Sequence, residues 1–211
     1  MSPPAPPRPC ASVTVLLSTT YFGPVQWYQK LYRADEVVIE QYESFQKQTY
    51  RNRCLIATTQ GVQSLTVPVE HDASRLIKDI RISDHGQWRH LHWNALQSAY
   101  GESPFFEYYQ DDIRPFFTMR RWRYLLDFNE EIRAKICELI DIQPRVTLSE
   151  NFGRAERDFR TLISPKHPEP DPDFTPRPYY QVYQQKHGFL PNLSILDLLF
   201  NMGPETILYL V

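Results

Sequence analysis

Val13-Thr14-Val15-Leu16-Leu17-Ser18 is rich in β-branched residues and poor in polar ones, the pattern of a buried strand. Tyr21-Phe22-Gly23-Pro24 follows as a turn signal, and Val25, Tyr28 and Tyr32 then recur at helical spacing. This predicts a short helix over Val25–Tyr32, packed on the first strand. Val37-Val38-Ile39 marks a second strand over Glu36–Glu40. Leu55–Thr59 and Gln63–Val69 read as a hairpin with Gln60-Gly61 at its turn, and Leu76–Ile82 as one more strand.

Beyond residue 84 the texture turns helical. Trp88–Tyr100 carries Leu91, Ala95 and Leu96 at helical spacing and ends at Gly101. Pro104–Tyr109 starts a further short helix, with proline at a tolerated early position. Asn129–Ile140 is a long helix with Asn129 as its N-cap, and Tyr124–Phe128 is either a strand or its entry. Cys137 beside the apolar face of that helix reads as a packing residue. Ser194 caps a last helix to Phe200, stopped by Met202-Gly203-Pro204, and Ile207–Val211 reads as a terminal strand. Strands gather early and helices late. The fold class is therefore α+β, or mixed α/β, in one compact domain over residues 12–211, with a mainly helical C-terminal half. Residues 1–11 are expected to be a disordered tail, since Ser2–Pro9 holds five prolines. Ser164–Pro178, with six, is expected to be an irregular loop.

Bulk properties narrow the function. A chain of 211 residues buries enough surface to need no disulfide staple. Its net charge of −2 gives no general attraction to nucleic acid. Cys10, Cys54 and Cys137 have no metal-binding spacing and suit a reducing cytoplasm. No run approaches the ~20 apolar residues of a membrane span. Gly-rich phosphate loops, GxSxG and Rossmann fingerprints are absent, so no cofactor is expected.

Four features carry chemistry. Lys47-Gln48-Thr49-Tyr50-Arg51-Asn52-Arg53 sets three cations among hydrogen-bonding side chains. If it is extended, Lys47, Thr49, Arg51 and Arg53 share a face that suits a phosphate or carboxylate; the plain alternative is a charge-protected strand edge. His90 and His92 lie about 200° apart on a helix and cannot grip one metal, so His92 is read as a lone acid or base. Tyr179–Phe189 combines aromatics, amides, Lys186 and His187, which suits sugars or bases, or else packing at a sheet edge. Asp197 lies in an apolar helix, where it either accepts hydrogen bonds from a loop or serves a site.

Several of these stretches resemble the WbqC-like protein family, over about residues 14–207. The resemblance rests on Lys47-x-x-Tyr50-x-Asn52-Arg53, Leu65-Thr66-Val67-Pro68-Val69, Ser98-Ala99-Tyr100 with Pro104-Phe105-Phe106, and Tyr180⋯Phe189-x-Pro191-x-Leu193-Ser194-Ile195-Leu196-Asp197. Bacteroidetes-type members look nearest. Thr19-Thr20 stand where the family opens with Gln-Pro, and a proline-rich stretch stands where many relatives carry a Tyr-Leu-Ser-Gly-like block. The resemblance implies a cytoplasmic protein of O-antigen-like surface-polysaccharide biosynthesis, an acyl- or aminoacyl-transferase acting on a nucleotide-linked amino sugar. It makes Lys47, Arg51 and Arg53 binders of pyrophosphate or carboxylate, and His92 or His187 the base, beside Asp197. Asn52 would then steady the acyl oxyanion, and Tyr50, Tyr100, Tyr180 and Gln181 would orient the sugar. The alternative is a non-catalytic binding or scaffold protein for a phosphorylated glycan precursor or a protein partner. An oligomer is compatible with either.

Overall fold

The computed structural model describes residues 13–70, 74–153, 155–166 and 168–211; the tail of residues 1–11 lies outside them. The chain opens with β1 (Thr14–Ser18), α1 (Val25–Arg33) and β2 (Glu36–Glu40). A hairpin follows, β3 (Arg53–Thr58) and β4 (Gly61–Thr66). The helices are α2 (Trp88–Tyr100), α3 (Phe106–Ile113), α4 (Pro115–Thr118) and α5 (Leu125–Leu139). Two short strands, β5 (Val146–Leu148) and β6 (Arg157–Asp158), precede α6 (Gln184–His187) and α7 (Ile195–Met202). The result is the mixed α/β single domain expected from the sequence.

The main sheet runs β5-β2-β1-β6, and every neighbouring pair in it is parallel. β1 and β2 pair from Thr14 opposite Glu36 to Ser18 opposite Glu40. A parallel pair needs a crossover, which α1 supplies, and a central parallel strand is covered on both faces. Leu16 and Leu17 of β1 are accordingly both buried. The hairpin forms a separate two-stranded antiparallel sheet whose turn is Thr59-Gln60, one residue earlier than expected, with Gly61 at φ 103°.

Four local expectations are corrected. Leu76–Ile82 is a 3-10 turn at Ile77–Asp79 with isolated bridges at Arg81 and Ile82, not a strand. Ile207–Val211 is no strand either, because a 3-10 helix occupies Gly203–Tyr209. Asn129 is not an N-cap. The long helix starts at Leu125 behind Tyr124, and Asn129 is buried inside it, donating to the Arg51 carbonyl at 2.8 Å. Residues 47–52 are turns and bends rather than an extended face, with Gln48 at φ 62°. α2 matches its expected bounds, and Ser164–Pro178 has no helix or strand among its described residues.

Two long-range joints hold the layers together. The turn after β1 is stitched to the start of α7: Val25 N donates to Leu193 O, Ile195 N to Gly23 O, and Ser194 Oγ to Phe22 O. Ser194 also caps α7, accepting from Leu196 N at 3.3 Å. Secondly, the proline-rich segment is moored to α1 by a buried Lys30–Asp171 ion pair of 2.7 Å, which Gln26 joins from the same helix. Tyr21, Phe22, Trp88, His92, Phe116, Phe117 and Phe128 form an aromatic cluster between this turn and α2, α4 and α5.

Candidate functional site

The residues singled out in the sequence are dispersed over several places. Tyr100, Gln181 and Asp197 meet. Asp197 is fully buried and accepts from Tyr100 Oη (2.8 Å), Tyr179 Oη (2.7 Å) and Gln181 Nε2 (2.9 Å). Burial raises its carboxyl pKa above the usual value, and these three hydrogen bonds hold it back. The Gln181 amide also exchanges two hydrogen bonds with the Leu190 backbone, closing a loop between them. Tyr180 is exposed; the donor to Asp197 is its neighbour Tyr179. Tyr100 Oη further accepts from Ala57 N, tying α2 to β3.

His92 lies elsewhere, buried in the aromatic cluster with Nδ1 2.9 Å from Tyr21 Oη. Desolvation lowers its pKa to about 4, against the opposing effect of hydrogen bonding to the Thr66 backbone, so the ring is neutral at neutral pH. His187 sits on α6, its Nε2 3.3 Å from Thr59 O, beside Lys186, whose Nζ reaches the same carbonyl at 2.7 Å. No hydrogen bond or ion pair links His92, His187 and Asp197 among the described residues. The basic segment is divided as well. Lys47 is exposed and lines a cleft of about 430 Å³ with Phe45, Glu70 and Arg75. Tyr50 is buried, its pKa raised to about 12 by desolvation. Asn52 Nδ2 donates to Val67 O and Arg53 Nε to Thr66 Oγ1, both fastening the hairpin.

Arg51 leads to a site that sequence reasoning missed. Its guanidinium forks onto Glu43, Nε to Oε1 at 2.8 Å and Nη2 to Oε2 at 2.5 Å, and also donates to Ser18 Oγ at the end of β1. At the end of β2, Glu40 is fully buried. Its Oε1 accepts from Tyr42 N and Ser149 Oγ, and its Oε2 from Gly153 N. Just past β6, Arg160 reaches Glu40 Oε2 at 3.5 Å, pairs with Asp158 and lies over the ring of Phe152. Partial burial pushes the Asp158 pKa up, but the Arg160 hydrogen bonds outweigh it and hold it below the ordinary range. Glu40, Glu43 and Asp158 thus face Arg51 and Arg160, three carboxylates against two guanidiniums.

The location is physically pointed. All contributing strands end here, and β2 and β6 leave β1 on opposite sides, which makes this the topological switch point where open parallel sheets bind ligands. Thr19 and Thr20, which follow Ser18, are buried with no hydrogen-bond partner for either hydroxyl. The available signal was Glu40 itself, an acid ending the apolar run Val37-Val38-Ile39. It could be read only once β1 and β2 were known to be parallel. No arrangement of three or more His, Cys, Asp or Glu side chains suited to a metal occurs among the described residues.

The WbqC-like protein family model matches residues 19–165 and 171–209, nearly the whole described chain. The chain belongs to the WbqC-like protein family. A relative of this chain, the uncharacterized protein Rv1507c of Mycobacterium tuberculosis, is 30% identical over 203 residues, covering 83% of this chain and 87% of that protein. No solved structure matches. The matched segments include every charged residue of the sheet-end cluster and break over residues 166–170, inside the proline-rich segment just before Asp171. No helix among the described residues is long and apolar enough to cross a membrane.

Proposed function

We propose that this WbqC-like chain binds an amino-bearing, anionic small molecule at the carboxyl ends of its parallel strands. In the fuller reading it transfers an acyl or aminoacyl group to the amine of a nucleotide-linked amino sugar, in cytoplasmic assembly of a surface polysaccharide. The observation that supports this is the composition of the sheet-end cluster. Its surplus of one carboxylate suits an ammonium, while Arg51 and Arg160 offer planar forks to a phosphate or carboxylate. Lys47, on the loop that also carries Glu43 and Arg51, is an accessible cation for the anionic end.

A second reading is favoured by a different observation. His92, His187 and Asp197 are held by three separate sets of partners, so the expected acid–base groups do not converge. That arrangement supports a binding protein without turnover, for a phosphorylated glycan precursor or a protein partner.

Calorimetry and thermal melting with a nucleotide-linked amino sugar, against the same compound with a hydroxyl in place of the amine, test the primary reading. A ligand at about 100 times its dissociation constant stabilises the fold by about 2.7 kcal/mol. Selective stabilisation by the amine, lost in Glu43→Gln, is expected. Equal binding of the hydroxyl compound, or none of either, overturns the amine assignment. Binding of the amine without transfer from any acyl or aminoacyl donor selects the second reading.

A further inference from the structure

A second cleft, remote in character from the ionic cluster, opens between the outer face of the hairpin, the C-terminal half of α2 and the residue preceding α6. It is an open groove of about 700 Å³, within the volume range of small-molecule sites. Every residue that lines it is uncharged. Four other clefts of this surface each carry at least three charged side chains, so the absence of charge here is specific to the place. Gln60, Gln63, Ser64 and Asn94 present amides and a hydroxyl along its walls, and the alanines of α2 leave the room between them.

The walls are held in place by bonds that leave much of this polar surface unused. Tyr183 Oη donates to Ser98 O at 3.2 Å, which fixes an aromatic ring at one end. Lys186 and His187 are drawn to Thr59 O, which pins α6 against the hairpin turn. Asn94 Nδ2 lies 3.0 Å from His90 Nε2, one turn earlier on α2. A charged ligand would find no counter-charge in this lining, and an apolar one would strip water from its amides without replacing the hydrogen bonds. A molecule made of hydroxyls on a carbon frame, needing donors, acceptors and one aromatic face, meets neither penalty.

We propose that this cleft binds a short neutral oligosaccharide. The proposal does not rest on the assignment of the sheet-end cluster, and either can fail alone. The test is a titration of the ¹⁵N-labelled full chain with maltotriose, mannotriose and a chitin trisaccharide, read by amide chemical shifts. At least one should give saturable millimolar binding, with shifts confined to residues 58–60, β4, residues 94–99 and Tyr183. Asn94→Ala and Gln63→Ala alter exposed side chains and leave the fold intact, and each should weaken binding about tenfold, equivalent to about 1.4 kcal/mol. A sulfated form of the bound sugar should bind no more tightly. Absence of saturable shifts with all three sugars, shifts mapping elsewhere, or unchanged affinity in both variants overturns the proposal.

Discussion

At the scale of single residues, His92 and Asp197 show how burial turns ionisable groups into structural ones. The His92 pKa of about 4 lies below its ordinary 6.5, so between these values the unfolded chain binds a proton that the folded chain does not. His92 therefore contributes a loss of stability as pH falls from about 6.5 to about 4, and no further change below that. The slope is at most about 1.4 kcal/mol per pH unit. Urea unfolding of wild type and His92→Gln across this window checks it: the wild-type advantage should shrink on acidification by on the order of 3 kcal/mol, with Asp197 common to both chains and cancelling. Asp197→Asn would turn an amide N–H₂ toward a donor that now meets oxygen, and should cost about 1–3 kcal/mol in the same assay. Asp197 was legible in the sequence as an acid in an apolar helix, but its partners were not. Tyr100 and Tyr179 are 97 and 18 residues away, and only the fold brings their hydroxyls onto one carboxylate.

At the scale of elements, agreement follows length and periodicity. α2 carries enough apolar repeats to fix both its ends, and β2 is a compact apolar run. β5 and β6 have three residues and two, too few to show any period, and they exist because β1 and β2 offer edges to pair with. The ionic site was missed for the same reason, since Asp158 and Arg160 gain meaning only from β6. The proline-rich segment was legible as irregular, but its anchorage was not. Asp171→Ala would leave Lys30 buried without its partner and should destabilise by about 3 kcal/mol, whereas a Lys30→Met/Asp171→Leu double variant should recover most of that. A second element-scale test is the stop of α7. Gly203 has φ 54° and ψ −127°, and a Cβ there would come within 2.5 Å of the Phe105 ring. Gly203→Ala should therefore cost at least about 1–3 kcal/mol, from backbone strain with the clash added.

At the scale of the whole molecule, the opening turn and the closing helix form one joint although some 170 residues separate them in the chain. Both were recognisable in the sequence as distinct motifs; that they touch was not, because nothing in either pattern encodes its partner. Removing residues 192–211 would expose the buried face of α1 and leave Val25 N and the Phe22 carbonyl without their partners. Such a chain should show no cooperative thermal transition, where the full chain shows one. Contacts of this span also favour slow folding, since a very long loop must close before they are rewarded. During synthesis the first strand leaves the ribosome long before Leu193 and Ser194 exist. The nascent protein must wait with an apolar turn uncovered, in need of a chaperone's shelter, and a prematurely terminated chain stays in that state, open to the proteases that clear unfinished products.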